Sequence, residues 1–153
     1  MHPFLLFLHS FWRWLVLGSL IYSIYISYKG KTNKLVFSSA ANKWRHWTAT
    51  IAHIQLMLGM AIYVQSPIVM YQIADNPNKL FNEQSFFRYF HISMMLFAVV
   101  LITVGSAKAK RQIKDAEKFG TMLTWFSLAL LVIFIAIPWP FSPLTSRPFA
   151  RGF

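Results

Sequence analysis

No cysteine occurs in the 153 residues. Its absence excludes disulfides, thiolate metal sites, iron–sulfur clusters and a covalent c-type haem, so any redox centre would have to hang on histidine. Acids are almost as scarce: Asp75, Glu83, Asp115 and Glu117 stand against 15 lysines and arginines. The apolar runs hold no carboxylates, which argues against the zinc and di-iron sites that helix bundles build from them. Charged residues of both signs make up 12% of the chain, against 56% hydrophobic and 18% aromatic residues, too oily for a soluble domain of this size. The first apolar run lacks a basic leader and a small-residue cleavage site, so it reads as a retained helix and not a signal peptide. With no internal repeat, low-complexity run or break in composition, residues 1–153 read as a single domain.

What is present is four apolar runs, at about 4–28, 44–66, 85–106 and 119–137. About 20 residues at 1.5 Å each cross a hydrocarbon core, so the expected fold is an all-α integral membrane protein, a four-helix up-down-up-down bundle. Gly30 reads as a helix stop, and Pro67, Pro138 and Pro140 end the second and fourth runs. Lys29, Lys31, Lys34 and Lys43 occupy one connection, and Lys108, Lys110, Arg111, Lys114 and Lys118 another. By the positive-inside rule both are cytoplasmic, which puts the 67–83 connection and both termini in the periplasm of a bacterial inner membrane. The formal charge of +11 is thereby explained by topology and not by nucleic acid.

The third run places His91 inside an otherwise apolar helix, where an ionisable group is costly and marks function by default. Arg88, His91, Met95, Ala98, Ile102 and Gly105 share its inward stripe. His9 and Arg13 share a face of the first run, and His46, Thr50, His53, Met57 and Met60 form a stripe on the second. Counted from the periplasmic ends, His9 and His91 both lie about 8 Å deep, whereas His53 lies roughly 20 Å below Pro67. An axial haem pair must come from opposite sides at one height, so His9 with His91 is the first expectation and His53 with His91 the second. Arg13 and Arg88 would meet the propionates, with snorkelling as the plainer role of Arg88. His46, between Trp44 and Trp47, reads as an interfacial belt residue. Met57, Met60, Met94 and Met95 read as packing. His53 with Gln55 could be a donor pair for a quinone, or an ordinary interhelical contact.

The fragments LHSFWRWLVL at His9, HIQLMLGMAIYVQSP at His53, RYFHISMM at His91, LITVGSAKAKR and the closing IPWP resemble short bacterial four-helix membrane proteins of the cytochrome b type. That resemblance implies one non-covalent haem b, with His9, His53 and His91 as the positions to watch. The chain departs from the di-haem pattern, which needs four ligands in two level pairs. The leading expectation is electron transfer with quinol or a larger respiratory complex. The alternative is a non-haem accessory or assembly subunit of a larger membrane complex; a third reading, proton-coupled transport through His53, would require a homodimer.

Overall fold

The computed structural model describes residues 2–70, 83–142, 145 and 147–149, and all of its regular elements are helical. They are α1 (His2–Thr32), α2 (Ser39–Gln65), α3 (Pro67–Met70), α4 (Glu83–Ser85), a π-helical turn (Phe86–His91), α5 (Ile92–Arg111) and α6 (Asp115–Ala136). Four helices are long and apolar enough to cross a membrane: Pro3–Thr32, Ser39–Gln65, Glu83–Arg111 and Asp115–Ala136. Residues 71–82, most of the connection placed in the periplasm above, and residues 150–153 lie outside the described residues.

The helices run further than the hydropathy suggests, because their ends are set by caps and contacts. Gly30 does not stop α1. A side chain there would collide with the Phe119 ring, so the glycine lets α6 close on α1. The chain reverses at Lys34, whose φ is 51°, and the Leu35 amide returns to the Gly30 carbonyl at 2.9 Å, as in a Schellman end. α2 starts at Ser39, ahead of the expected Trp44, because the Ser38 hydroxyl accepts from the Ala41 amide at 3.2 Å. The third helix begins at Glu83 and continues past Ser106 through Lys108, Lys110 and Arg111, cations suited to a helix C-terminus.

In cross-section the order is α1, α2, α5, α6, closing back on α1. Contacts pair rising numbers on one helix with falling numbers on the next. Gln55 reaches His9, Trp12 reaches Ile51 and Ser23 meets Thr48 across α1 and α2. Tyr63 reaches Arg88 and Arg45 reaches Ser106 across α2 and the third long helix. The centre holds Leu20, Ile102, Met122 and Phe126, all fully buried. Gly105 is buried where the Trp125 Cβ fills the space of its missing side chain. Phe37 packs on Phe119 at 4.9 Å between ring centres, which brings the two basic connections to one end of the bundle.

α2 turns a different side inward from its histidine stripe. Ala41, Arg45, Thr48 and Ala52 are buried, while His46, His53, Met57 and Met60 are exposed. Small side chains let backbones approach, and that selects the inner face. Arg45 is buried at 6% exposure. Its Nε donates to Asn42 Oδ1 at 3.0 Å, and one terminal nitrogen donates to the carbonyl and hydroxyl of Ser106 at 3.1 and 2.6 Å.

Candidate cofactor site

The half of the bundle away from the basic end holds a partly open cavity of about 210 Å3 bounded by α1, α2, α3, the third long helix and the 133–138 and 147–148 segments. Most of its wall is apolar, including Leu56, Met95 and Ile133, and its polar groups include His9, Arg13, Gln55, His91 and Arg147. An apolar pocket with a few converging polar groups is the usual form of a small-molecule site.

His91 closes the π-helical turn Phe86–His91, an irregularity frequent at functional sites. Phe86 and Phe87 hold its ring, with centres 5.9 and 5.8 Å away. His91 Nδ1 lies 2.8 Å from the Ala136 carbonyl of α6. A carbonyl only accepts, so Nδ1 carries the proton and Nε2 keeps its lone pair.

His9 stands opposite on α1, its ring centre 6.5 Å from that of His91 and the planes inclined at 71°. The Gln55 amide donates to the His9 carbonyl at 3.1 Å, and its nitrogen lies 3.4 Å from His9 Nε2. Across the ring, Gly59 leaves the space a side chain would fill: a Cβ there would stand 3.3 Å from His9 Cε1 and 3.7 Å from Nδ1.

His9 Nδ1, Arg13 Nε and Gln55 Oε1, all in this lining, are buried without a hydrogen-bond partner among the described residues. Buried polar groups are nearly always satisfied, and each exception calls for an explanation. That all three line one cavity suits a ligand that would satisfy them.

Of the residues singled out from sequence, the cavity brings together His9, His91 and Arg13. A terminal nitrogen of Arg13 donates to the Phe149 carbonyl at 2.5 Å, a bond it shares with Trp14 Nε1 at 3.2 Å, so residues 147–149 pack back onto the bundle. His53 is not brought to the site. It is exposed between α2 and α5, with Nδ1 2.7 Å from the Ala49 carbonyl and Nε2 3.2 Å from the Thr103 hydroxyl. Pairing His53 with His91, or with Gln55, therefore has no support in this geometry. Arg88 is not in the lining either; its guanidinium lies 5.6 Å from the Tyr89 ring centre. His46 sits beside Trp47, with ring centres 6.2 Å apart, on the exposed surface.

Gln55 and Gly59 were not expected at this place. Helices running in opposite directions pair residues whose numbers sum to a near-constant, and Trp12 with Ile51 sets that sum. The same sum puts Gln55 level with His9, whereas counting depth from Pro67 would place it about 18 Å deep against about 8 Å for His9, so the pairing was not legible in the sequence.

The geometry fits a metal held between two imidazoles. Two metal–nitrogen bonds of about 2 Å, plus about 1 Å from each nitrogen to its ring centre, give a separation of about 6 Å. The cavity already exceeds the roughly 150 Å3 that accepts benzene. A macrocycle is larger, and Met60 and Met95 in the lining are unbranched side chains able to swing aside for it. Compared with known proteins, the chain matches no family model, no curated protein and no solved structure.

Proposed function

We propose that this chain is a membrane cytochrome of b type that binds one haem between His9 and His91 and passes single electrons. The observation that carries the reading is the His9–His91 pair, with ring centres 6.5 Å apart in the lining of a cavity where the buried His9 Nδ1, Arg13 Nε and Gln55 Oε1 lack partners among the described residues.

The wider reading is an up-down-up-down bundle in a bacterial inner membrane, with both termini and the 67–83 connection on the periplasmic side. It is supported by the opposed numbering of contacts between neighbouring helices. The gathering of both basic connections at one end, which the positive-inside rule makes cytoplasmic, supports it too. Large apolar side chains such as Phe11, Ile21, Phe97 and Leu131 are exposed on the flanks, as a lipid-facing surface requires.

A bound haem would supply one-electron redox chemistry, and the protein supplies what surrounds it. His91 offers Nε2, with its ring orientation held by the Nδ1–H bond to Ala136. His9 would bind the group through Nδ1 once Gln55, whose amide nitrogen only donates and so leaves the ring proton on Nδ1, releases Nε2. Arg13 brings a positive charge to the cavity and would exchange its bond to the Phe149 carbonyl for a carboxylate. The mostly apolar wall would give the group a low-dielectric surround. Quinol or a larger respiratory complex is the proposed exchange partner.

The second reading is a non-haem accessory subunit. It is favoured by the exposed His53–Thr103 pair, a polar contact that a neighbouring membrane subunit would cover. The reduced-minus-oxidised absorbance spectrum of protein purified from haem-replete cells tests the first reading against the second. A low-spin b-type spectrum that disappears in both His9→Ala and His91→Ala is expected. A colourless wild-type protein, with no uptake of added haem, would leave the accessory reading. Reporters fused to Phe153 test the sidedness: only a periplasm-specific reporter should be active.

A further inference from the structure

At the basic end, far from the histidine pair, α1, α6 and the 112–114 turn border an open groove of about 530 Å3. Lys31, Gln112, Glu117, Thr121, Thr124 and Trp125 line it. Lys31 lies along Gly120, where an added Cβ would come within 3.7 Å of its Cε and Nζ. Lys108 reaches over from α5, its Nζ 4.7 Å from the Trp125 ring centre.

The acids nearby are already engaged. Glu117 pairs with Lys114 at 3.7 Å and Asp115 with Lys118 at 3.1 Å. Neither Lys31 nor Lys108 has a carboxylate partner among the described residues. Lys31 thus lines the groove beside two hydroxyls without a carboxylate partner, and Lys108 adds a second such cation at its Trp125 edge.

Below it the chemistry changes along one helical face. Thr121 and Thr124 are followed at the same three- and four-residue spacing by Leu128, Leu131 and Ile135, which are exposed at 48%, 57% and 52%. Cations and hydroxyls above an exposed aliphatic track match a molecule with an anionic head and an apolar tail. A soluble anion would have no use for the track, and a zwitterionic head would gain less from two unpaired lysines.

We propose that this groove binds an anionic phospholipid. Its phosphodiester lies between Lys31 and the Thr121 and Thr124 hydroxyls, with Lys108 adding charge from the α5 side and an acyl chain running over Leu128, Leu131 and Ile135. Basic recesses between helices on the cytoplasmic side of a membrane are suited to such headgroups. This inference is independent of haem.

Native mass spectrometry of the detergent-solubilised full chain tests it, with phosphatidylglycerol and phosphatidylcholine of identical acyl chains as probes and inorganic phosphate as competitor. Wild type should retain phosphatidylglycerol in preference to phosphatidylcholine. The double variant Lys31→Gln/Lys108→Gln should lose about 25-fold in phosphatidylglycerol retention, about fivefold for each lysine. Lys34→Gln/Lys43→Gln removes the same charge outside the groove and should retain the lipid as wild type does. Equal loss in the two doubles would mean that only diffuse charge attracts the lipid and would overturn the site. So would equal retention of both lipids. Displacement of the lipid by an equimolar amount of inorganic phosphate would make this a soluble-anion site and also refute the proposal. Matching melting temperatures of the doubles and wild type keep a folding defect from imitating the result.

Discussion

Replacing Gly59 by alanine should make the ligand-free protein slightly more stable and its hold on haem weaker. Gly59 lies in the interior of α2 (39–65), where alanine is favoured over glycine by about 0.8–1 kcal/mol. Against this stands one close contact. The new methyl would sit 3.3 Å from His9 Cε1 and 3.7 Å from Nδ1, so the imidazole must move by a few tenths of an ångström. In an unliganded cavity bordered by unpartnered atoms that movement is cheap, on the order of a few tenths of a kcal/mol. The net gain is about 0.5 kcal/mol, or roughly 1–2 °C in melting temperature for a chain of this length. Metal ligation is far less forgiving, because ligand distances hold to within about 0.2 Å. A displaced His9 should therefore weaken haem binding at least about tenfold, near 1.4 kcal/mol. Thermal melts of the apoprotein in detergent and a Soret titration with haem measure the two effects separately. A variant that gains stability but binds haem like wild type would take Gly59 and His9 out of the site. Parallel losses in both would show that the glycine serves helix packing alone.

Three further outcomes follow from the geometry. His91→Ala should abolish the low-spin spectrum, whereas His53→Ala should leave it intact, since His53 is exposed at the α2–α5 edge beside Thr103 and outside the cavity lining; equal loss in both would contradict the placement of α2. Arg13→Leu should lower the midpoint potential of the bound haem, because a nearby positive charge favours the electron-richer reduced state, and Arg13→Lys should restore only part of it. A potentiometric titration giving one midpoint for all three proteins would show that Arg13 serves only to hold the Phe149 carbonyl. Arg45→Met, which keeps the volume of a buried cation that has only neutral partners, should change stability by no more than about 1 kcal/mol. Arg45→Ala adds a cavity and should cost about 2–4 kcal/mol; urea melts in mild detergent that rank the two equally would mean that the bonds to Ser106 matter more than packing.

The first and third long helices show how far the sequence could be read. The inward stripe expected for the third was Arg88, His91, Met95, Ala98, Ile102 and Gly105; Ala98, Ile102 and Gly105 are buried, His91, Met95 and Ala98 line the cavity, and Arg88 does neither. The level pairing of His9 with His91 was accessible from depth alone, because 1.5 Å per residue from a shared boundary is simple arithmetic. The stripe on α2 was misleading. Histidine and methionine at helical spacing drew attention to His53, yet Ala41, Thr48 and Ala52 take α2 inward and carry Gln55 and Gly59 to the site. The π-helical turn at Phe86–His91 had no periodic signature, since FFRYF is apolar and aromatic almost throughout.

Residue chemistry along the chain was sufficient to determine the four long apolar helices, the two basic connections and the reliance of any redox centre on histidine. Each depends on summed hydropathy, on charge counts or on the absence of a residue type, and none requires knowing which side of a helix meets another. Tertiary structure alone decided which face of α2 is buried, that Arg13 meets the Phe149 carbonyl and that His9 and His91 stand 6.5 Å apart. The physical reason is that a lipid-facing surface is as apolar as a packed interior, so hydropathy does not separate the inner face from the outer. That choice falls to close packing of small residues, such as Gly30 under Phe119 and Gly105 under Trp125, and those fits exist only between helices already in place.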